Sequence, residues 1–270
     1  MGLHVDPTAA CLLIAVAFAA GWLDAVVGGG GLVQVPALML ALPSLPVATV
    51  LGTNKLVAIT GTSGAAVTYV RRVGLDGRRA LAAAALGLPT AMVGAATASH
   101  LPRAAITLVV AATLVGVGGW AAVARPRRSP DAPDAPDAAA PAGRGPVSRP
   151  TLVLAVGASG VGFYSGVVGS GTGVLLVALC VTALGTDFLR GSAMAKVVSI
   201  GSDLGALALF GALGHVLWLL GAGMAVANVA GGIVGARTAL SRGAGFVRAV
   251  LLLVVVALVA KITHDQWLAA

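Results

Sequence analysis

The chain has little charge: only 10% of its 270 residues are Asp, Glu, Lys or Arg, whereas 58% are hydrophobic. A soluble globular domain needs more polar surface, so this composition excludes that class and indicates a protein with several membrane-spanning helices. Cysteine is also scarce, and because Cys11 and Cys180 both lie in apolar stretches, no disulfide framework is implied. No soluble domain carries a basic face, which argues against nucleic-acid binding.

The sequence has no basic region ahead of its first apolar run, so we expect this segment to be retained rather than cleaved as a signal peptide. The net charge of +8 comes mainly from arginines in loops or near segment ends. Cytoplasmic loops accumulate basic residues, so this distribution is a topology signal. Lys55 and Lys196 depart from it, because both fall within apolar stretches.

The stretch from Gly21 to Gly31 combines a carboxylate, Asp24, with four consecutive glycines inside an apolar segment. Each glycine costs about 1 kcal/mol of helix propensity, so a helix should unwind near Gly28 and another should start near Gly31. Unwound backbone is tolerated in a membrane only beside protein or a water-filled cavity, where transporters bind solutes. The pattern therefore predicts a broken helical hairpin at a candidate binding site, with legs at 8–27 and 31–42.

A shift of 141 residues aligns the two halves of the chain, laying Gly28 on Gly169 and Lys55 on Lys196. Two glycine breaks and two rare lysines at one offset predict an internal duplication. We expect an all-α membrane protein whose two repeats, 1–124 and 151–270, each contain a Gly-broken hairpin and three spans. The expected segments are 47–70, 80–98 and 104–124 in the first repeat, and the hairpin 151–184 with 191–212, 216–236 and 246–262 in the second.

The residues between the repeats, 125–150, hold seven of the thirteen prolines and a repeated Asp-Ala-Pro tract. This composition predicts an extended, solvated linker on the cytoplasmic side. Loop arginines follow different segments in the two halves, at 71–79 in the first and 237–248 in the second, which favours repeats of opposite orientation. A parallel arrangement of the repeats is the alternative.

Four charged residues, Asp24, Lys55, Lys196 and Asp203, lie inside apolar segments, where each charge costs at least about 2.5 to 3.5 kcal/mol. One interpretation is that they are ion pairs that hold helices together; Lys196 and Asp203 are seven residues apart, on one helix face. The other is that the lysines bind an anionic solute while the carboxylates tune or relay charge. The second interpretation is favoured by the alignment, because the lysines recur in both halves and the carboxylates do not: Asp24 aligns with Ser165, and Asp203 with Thr62.

Helix N-termini after the two glycine breaks would add free amides and the positive end of each helix dipole, which suit a sulfonate, carboxylate or sulfite. No metal or cofactor is required, and a proton or cation is the expected coupling partner. The oligomeric state does not follow from the sequence. The candidate substrate-binding residues are Asp24, Gly28, Gly29, Gly30, Gly31, Thr53, Asn54, Lys55, Ser165, Gly169, Ser170, Gly171, Thr172, Lys196 and Asp203.

An enzymatic interpretation rests on Gly157-Ala158-Ser159-Gly160, which resembles the serine motif of rhomboid proteases, with His215 as a base. A four-residue pattern in a chain with 38 glycines carries little information, and His215 lies beside an expected loop. We therefore expect the protein not to be an enzyme.

Four motifs are typical of one family of membrane proteins: Gly21-Trp22-Leu23-Asp24-Ala25, Gly52-Thr53-Asn54-Lys55, Gly162-Phe163-Tyr164-Ser165-Gly166 and Ala193-Met194-Ala195-Lys196. In these motifs the chain resembles the TauE/SafE family of membrane permeases, also called the sulfite exporter or toluene-sulfonate uptake permease family. The resemblance implies secondary transport of sulfite, sulfonates or other organic anions across the bacterial inner membrane. The alternative from another class is a membrane-embedded structural or assembly protein whose buried charges only join helices.

Overall fold

The computed structural model describes residues 7–73, 75–98, 101, 109, 112, 116, 149–169, 171–186 and 188–269, and every regular element among them is an α-helix. The expected span 104–124, apart from isolated positions, and most of the linker 125–150 lie outside the described residues. The helices are α1 (Pro7–Val27), α2 (Gly30–Ala41), α3 (Val47–Val70), α4 (Gly77–Ala98), α5 (Arg149–Val168), α6 (Thr172–Ala183), α7 (Phe188–Ala212) and α8 (Trp218–Ala269).

Both glycine breaks are present where the sequence predicts them. α1 ends at Val27 and α2 begins at Gly30, because Gly28 adopts a φ of 80° that helical residues do not take. In the second half α5 ends at Val168, and α6 begins at Thr172 after Gly171, whose φ is 77°. The element α8 contains both segments predicted at 216–236 and 246–262, and non-helical backbone at Gly243, with a φ of 74°, divides it into two helices between them.

Four of the described helices are long and apolar enough to cross a membrane: α1 from Thr8, α4, α7 and α8 as far as Gly243. By contrast, α2 and α6 have 12 residues each, well short of the roughly 20 that a bilayer requires. In the first half the short leg α2 folds back along α1. The Gly30 amide donates to the Asp24 carboxylate, and one side chain, Asn228, bonds to both Gln34 of α2 and Ala17 of α1. In the second half a Cβ at Gly157 of α5 would lie 2.3 Å from the Leu179 side chain of α6, so both short legs return toward the side from which their partner helix enters.

The first helix of each half packs against a late helix of the other half, α1 against α8 and α5 against α4. Glycine makes both contacts close: a Cβ at Gly235 would lie 2.4 Å from the carbonyl oxygen of Trp22, and one at Gly94 would lie 2.1 Å from that of Phe163. Small residues allow such approach between membrane helices. The two contacts occupy positions 141 residues apart on both sides.

The central helices α3 and α7 run antiparallel. Gly52, near the start of α3, lies against Phe210 near the end of α7, while Lys55 further along α3 reaches back to Asp203. The end of α3 therefore lies beside the start of α7. We call this end of the molecule the arginine end, and at it Leu75, Phe188 and Leu240 pack into one apolar cluster. The arginine end carries all the arginines whose side chains the structure describes: Arg71, Arg72, Arg78, Arg79, Arg190, Arg237 and Arg242.

Candidate functional site

The two glycine breaks cross each other at the centre of the molecule. A Cβ on Gly28 would lie 2.6 Å from the carbonyl carbon of Gly173, and one on Gly173 would lie 2.7 Å from the Cα of Gly28. Neither position has room for a side chain, and Gly28 also has a positive φ. The contact sets the unwound backbone at Gly28 against the first turn of α6, and the Gly30 amide beside this break donates to the buried Asp24 carboxylate.

The first group of buried charges joins Lys55 of α3 to the second half of the chain. The Lys55 ammonium donates a hydrogen bond of 2.6 Å to an Asp203 carboxylate oxygen on α7 and one of 2.7 Å to the Ser165 hydroxyl on α5. The Ser165 hydroxyl in turn donates to the same carboxylate oxygen at 3.2 Å. The Lys55 side chain is 1% exposed and that of Asp203 is 8% exposed, so this is an enclosed ion pair.

The second group joins Lys196 of α7 to the first half. Its ammonium lies 2.7 Å from the Asp24 carboxylate and also donates to the Asp24 backbone carbonyl oxygen. The Thr62 hydroxyl on α3 donates to the same carboxylate at 3.1 Å, and the amide of Gly30, in the first turn of α2, donates at 3.4 Å. The Asp24 side chain is 22% exposed, so this ion pair is more open than that of Lys55.

The two groups have the same composition, with the carboxylate and the hydroxyl exchanged. Ser165 of the first group is at the position that aligns with Asp24 of the second, and Asp203 is at the position that aligns with Thr62. Each group therefore contains one ammonium, one carboxylate and one hydroxyl, and is neutral overall. The carboxylates do not align because the carboxylate and the hydroxyl have exchanged positions between the halves, and each lysine still has one carboxylate partner.

The interpretation that Lys196 and Asp203 pair along one helix face is wrong. Asp203 bonds to Lys55, and Lys196 bonds to Asp24. Both lysines project from the central antiparallel pair α3 and α7, so each meets a carboxylate from the other half of the chain rather than one two turns away on its own helix.

The remaining candidate residues divide between the breaks and the helix contacts. Asn54 donates its amide to the carbonyl oxygen of Gly169 at 3.3 Å, which places it at the second break. Thr172, in the first turn of α6, is buried, and its hydroxyl has no hydrogen-bond partner among the described atoms. Thr53 instead bonds to Thr49 and accepts from the Leu217 amide, so it joins α3 to the start of α8. Gly29, Gly31 and Gly171 lie at the breaks, and Ser170 is outside the described residues.

Three polar residues of the core were not among the sequence candidates. Thr62 completes the Asp24 group, and its alignment with Asp203 was a signal for this role. Asn228 of α8 donates to the Ala17 carbonyl oxygen at 2.7 Å and to the Gln34 side chain at 3.3 Å, inside the contact of α8 with the first hairpin. In the sequence, the only indication of this role for Asn228 is that its amide side chain lies within an apolar segment.

The residues of the protease interpretation have other surroundings. His215 lies between α7 and α8, where its ring nitrogen Nδ1 is 3.3 Å from the Thr49 hydroxyl at the start of α3. Ser159 lies within α5, well before the second glycine break. His215 is thus engaged at the end of the molecule opposite the arginine end.

Comparison with known proteins identifies relatives over nearly the whole length. A probable membrane transporter protein, ORF9, of Sinorhizobium sp is 31% identical over 253 residues, which cover 94% of this chain and 92% of the relative. A probable membrane transporter protein of Haemophilus influenzae is 28% identical over 255 residues, with 94% of each chain covered. The probable membrane transporter protein YfcA of Escherichia coli K12 is 28% identical over 262 residues, covering 97% of this chain and 92% of the relative.

No solved structure matches the chain at a significant level. The family model described as sulfite exporter TauE/SafE matches residues 13–262, which include both glycine breaks and all four buried charges. The expected resemblance is thus confirmed, and the chain belongs to the TauE/SafE family of membrane transporters.

Proposed function

We propose that the protein is a secondary transporter of the bacterial inner membrane that moves small sulfur-containing or organic anions such as sulfite or sulfonates. The observation that carries the proposal is the pair of buried groups, each with a lysine, a carboxylate and a hydroxyl, beside crossed glycine breaks. Buried ionisable residues in membrane segments are costly and commonly mark solute or ion pathways. The names of the relatives and of the family support the same class of function.

Each lysine in this proposal exchanges its carboxylate for an oxyanion of the solute. A sulfonate or sulfite has several acceptor oxygens and can occupy both the ammonium and the neighbouring hydroxyl. Lys196 is the first point of contact, because its partner Asp24 is the more exposed carboxylate, at 22% against 8% for Asp203. The Thr172 hydroxyl, which has no hydrogen-bond partner among the described residues, and the amides of the first turn of α6 are further donors at the second glycine break.

A carboxylate that loses its lysine cannot stay charged and unpaired in a buried site without a large cost, and it is stabilised by taking up a proton. Binding of an anion at Lys196 would therefore bring a proton to Asp24. This gives a direct route to coupling of anion transport to a proton gradient, with Asp24 as the carrier of the proton.

We also propose that the two halves are inverted repeats. The support is that equivalent helices α3 and α7 run antiparallel, and that equivalent glycine contacts recur at an offset of 141 residues. The arginine end would then face the cytoplasm, since basic residues accumulate on that side. With inverted repeats the two halves can exchange conformations as the site opens to one side of the membrane or the other. The surroundings of the two buried groups are then exchanged, which is the symmetry expected for alternating access.

The test is transport of labelled sulfite and of labelled aryl and alkyl sulfonates into proteoliposomes that contain the purified protein, with and without an imposed pH gradient. We expect uptake of at least one anion, stimulated by the gradient and lost in Lys196→Met. Lys261→Met is the matched control, because Lys261 is the chain's third lysine and does not belong to the buried groups; this variant should keep transport. A folded wild-type protein that moves none of these anions would contradict the proposed substrate class.

The structural alternative has an observation in its favour: all four buried charges already have partners, so helix joining alone accounts for them. Under this alternative, replacing an ion pair by two neutral residues of similar volume should leave every activity of the protein intact. The two proposals therefore differ in the double variants, whereas both predict defects in the single ones.

A further inference from the structure

A cavity of about 420 Å3 lies between the last turn of α3 and the part of α8 just before Gly243, at the arginine end. Arg71 and Arg72 line it from the end of α3, and Arg237 lines it from α8. These guanidinium groups come from different halves of the chain. The cavity is therefore a place where one ligand would contact both halves, and none of its lining residues belongs to the two buried groups.

The three arginines have an unbalanced positive charge. Among the described residues none of them forms an ion pair with a carboxylate, whereas Arg79 at the same end is held 3.0 Å from Asp76. Guanidinium groups gathered around one cavity repel each other, and an anion between them removes this repulsion. The geometry suits a phosphate in particular, because the planar guanidinium donates two parallel hydrogen bonds to phosphate oxygens.

The rest of the lining is mixed in character. The hydroxyl-bearing residues Thr68 and Ser241 lie beside the arginines, and the apolar side chains of Val67 and Leu240 form the remaining wall. Val67 is 51% exposed, and Val70 in the same turn of α3 is 42% exposed. A free inorganic anion has no use for an apolar wall, whereas a phosphate attached to acyl chains contacts both parts of it.

We infer that this cavity binds the phosphate of an anionic phospholipid, with Arg71, Arg72 and Arg237 around the phosphate and Val67 along the attached chain. Basic pockets between membrane helices on the cytoplasmic side commonly bind such head groups. The bound lipid links α3 to α8 and stabilises their association. This site is separate from the proposed transport site and does not depend on the nature of the transported solute.

The experiment uses the purified full-length protein in detergent and measures its melting temperature during titration with phosphatidylglycerol, phosphatidylcholine or inorganic phosphate. We expect phosphatidylglycerol to raise the melting temperature and the other two to leave it unchanged, because a ligand that binds only the folded state stabilises it. Arg71→Gln and Arg237→Gln should each weaken the apparent affinity about tenfold, the effect of one lost hydrogen bond to a charged group. Arg78→Gln, an exposed arginine of the same end that does not line the cavity, should behave as wild type.

An equal loss of phosphatidylglycerol affinity in Arg78→Gln would mean that the lipid is attracted by the overall charge of this end. That result would overturn the proposed site. An equal effect of inorganic phosphate would identify a free anion as the ligand and overturn the lipid assignment. Native mass spectrometry of the same variants counts bound phosphatidylglycerol directly. It keeps the test decisive if a substitution shifts the melting temperature by itself: retained lipid in Arg71→Gln and Arg237→Gln would also overturn the inference.

Discussion

Replacing Lys55 by Met tests the buried ion pair most directly, because the Lys55 side chain is 1% exposed and its partner Asp203 is 8% exposed. Methionine fills much of the volume of the lysine stem without its charge. The substitution leaves the Asp203 carboxylate with the Ser165 hydroxyl, 3.2 Å away, as its remaining side-chain donor in this group. The change therefore isolates the cost of an uncompensated buried charge.

Removing one partner of a buried ion pair typically destabilises a protein by about 3 to 5 kcal/mol. For a chain of this size, 1 kcal/mol corresponds to roughly 2 to 4 °C in melting temperature, so Lys55→Met should lower it by roughly 6 to 20 °C. Lys196→Met should have a smaller effect. Its partner Asp24 is 22% exposed and keeps the Thr62 hydroxyl and the Gly30 amide as donors.

The assay is the melting temperature of purified variants in one detergent, together with proteoliposome transport. The double variant Lys55→Met with Asp203→Asn should recover most of the lost stability, because the stranded charge is then gone. Lys55→Met with Asp24→Asn is the matched control, since it removes the carboxylate of the other group. It should not recover stability, and it should lose the second ion pair as well.

A Lys55→Met protein as stable as wild type would refute the reasoning, and so would equal rescue by Asp203→Asn and Asp24→Asn. Transport then separates the two functional proposals. If Lys55 contacts the solute, the stable double variant Lys55→Met with Asp203→Asn transports nothing. If the pair only joins helices, this double variant transports as well as wild type.

Three further predictions concern the orientation of the halves, the helix contact at Gly28 and the linker. In a protein without its native cysteines, single cysteines at Gly77 and Ser241 should both resist a membrane-impermeant thiol reagent applied from outside, because both lie at the arginine end; labelling of only one would contradict the inverted arrangement. Gly28→Ala should abolish folded protein or destabilise it by several °C, as its Cβ would lie 2.6 Å from the backbone of Gly173 and its φ is 80°, while Gly77→Ala in open space should be neutral in the same melting assay. Replacement of residues 131–137 by a Gly/Ser stretch of equal length should leave transport intact, because the linker is expected only to span the distance between the halves. Loss of transport at normal expression would mean that this segment has a further role.

Local chemistry made the helix plan readable from the sequence. The start and end of α3 coincide with the expected 47–70, and both hairpins break at the expected glycines, because glycine runs lower helix propensity strongly enough to act without help from neighbours. The buried charges were also visible, since an ionisable residue in an apolar segment stands out by composition alone. The loop expected between 236 and 246 also contains the break of α8, because the backbone of Gly243, with a φ of 74°, is non-helical.

The pairing of those charges was decided only by tertiary structure. Sequence spacing relates residues on one helix, and it suggested Lys196 with Asp203, but the partners come from helices far apart in the chain. The antiparallel contact of α3 with α7 brings Asp203 to Lys55, and the packing of the first hairpin brings Asp24 to Lys196. By itself the sequence determined which charges are buried and where the helices break, since both follow from residue type; which charge meets which depends on how the two halves pack, and only the fold sets that.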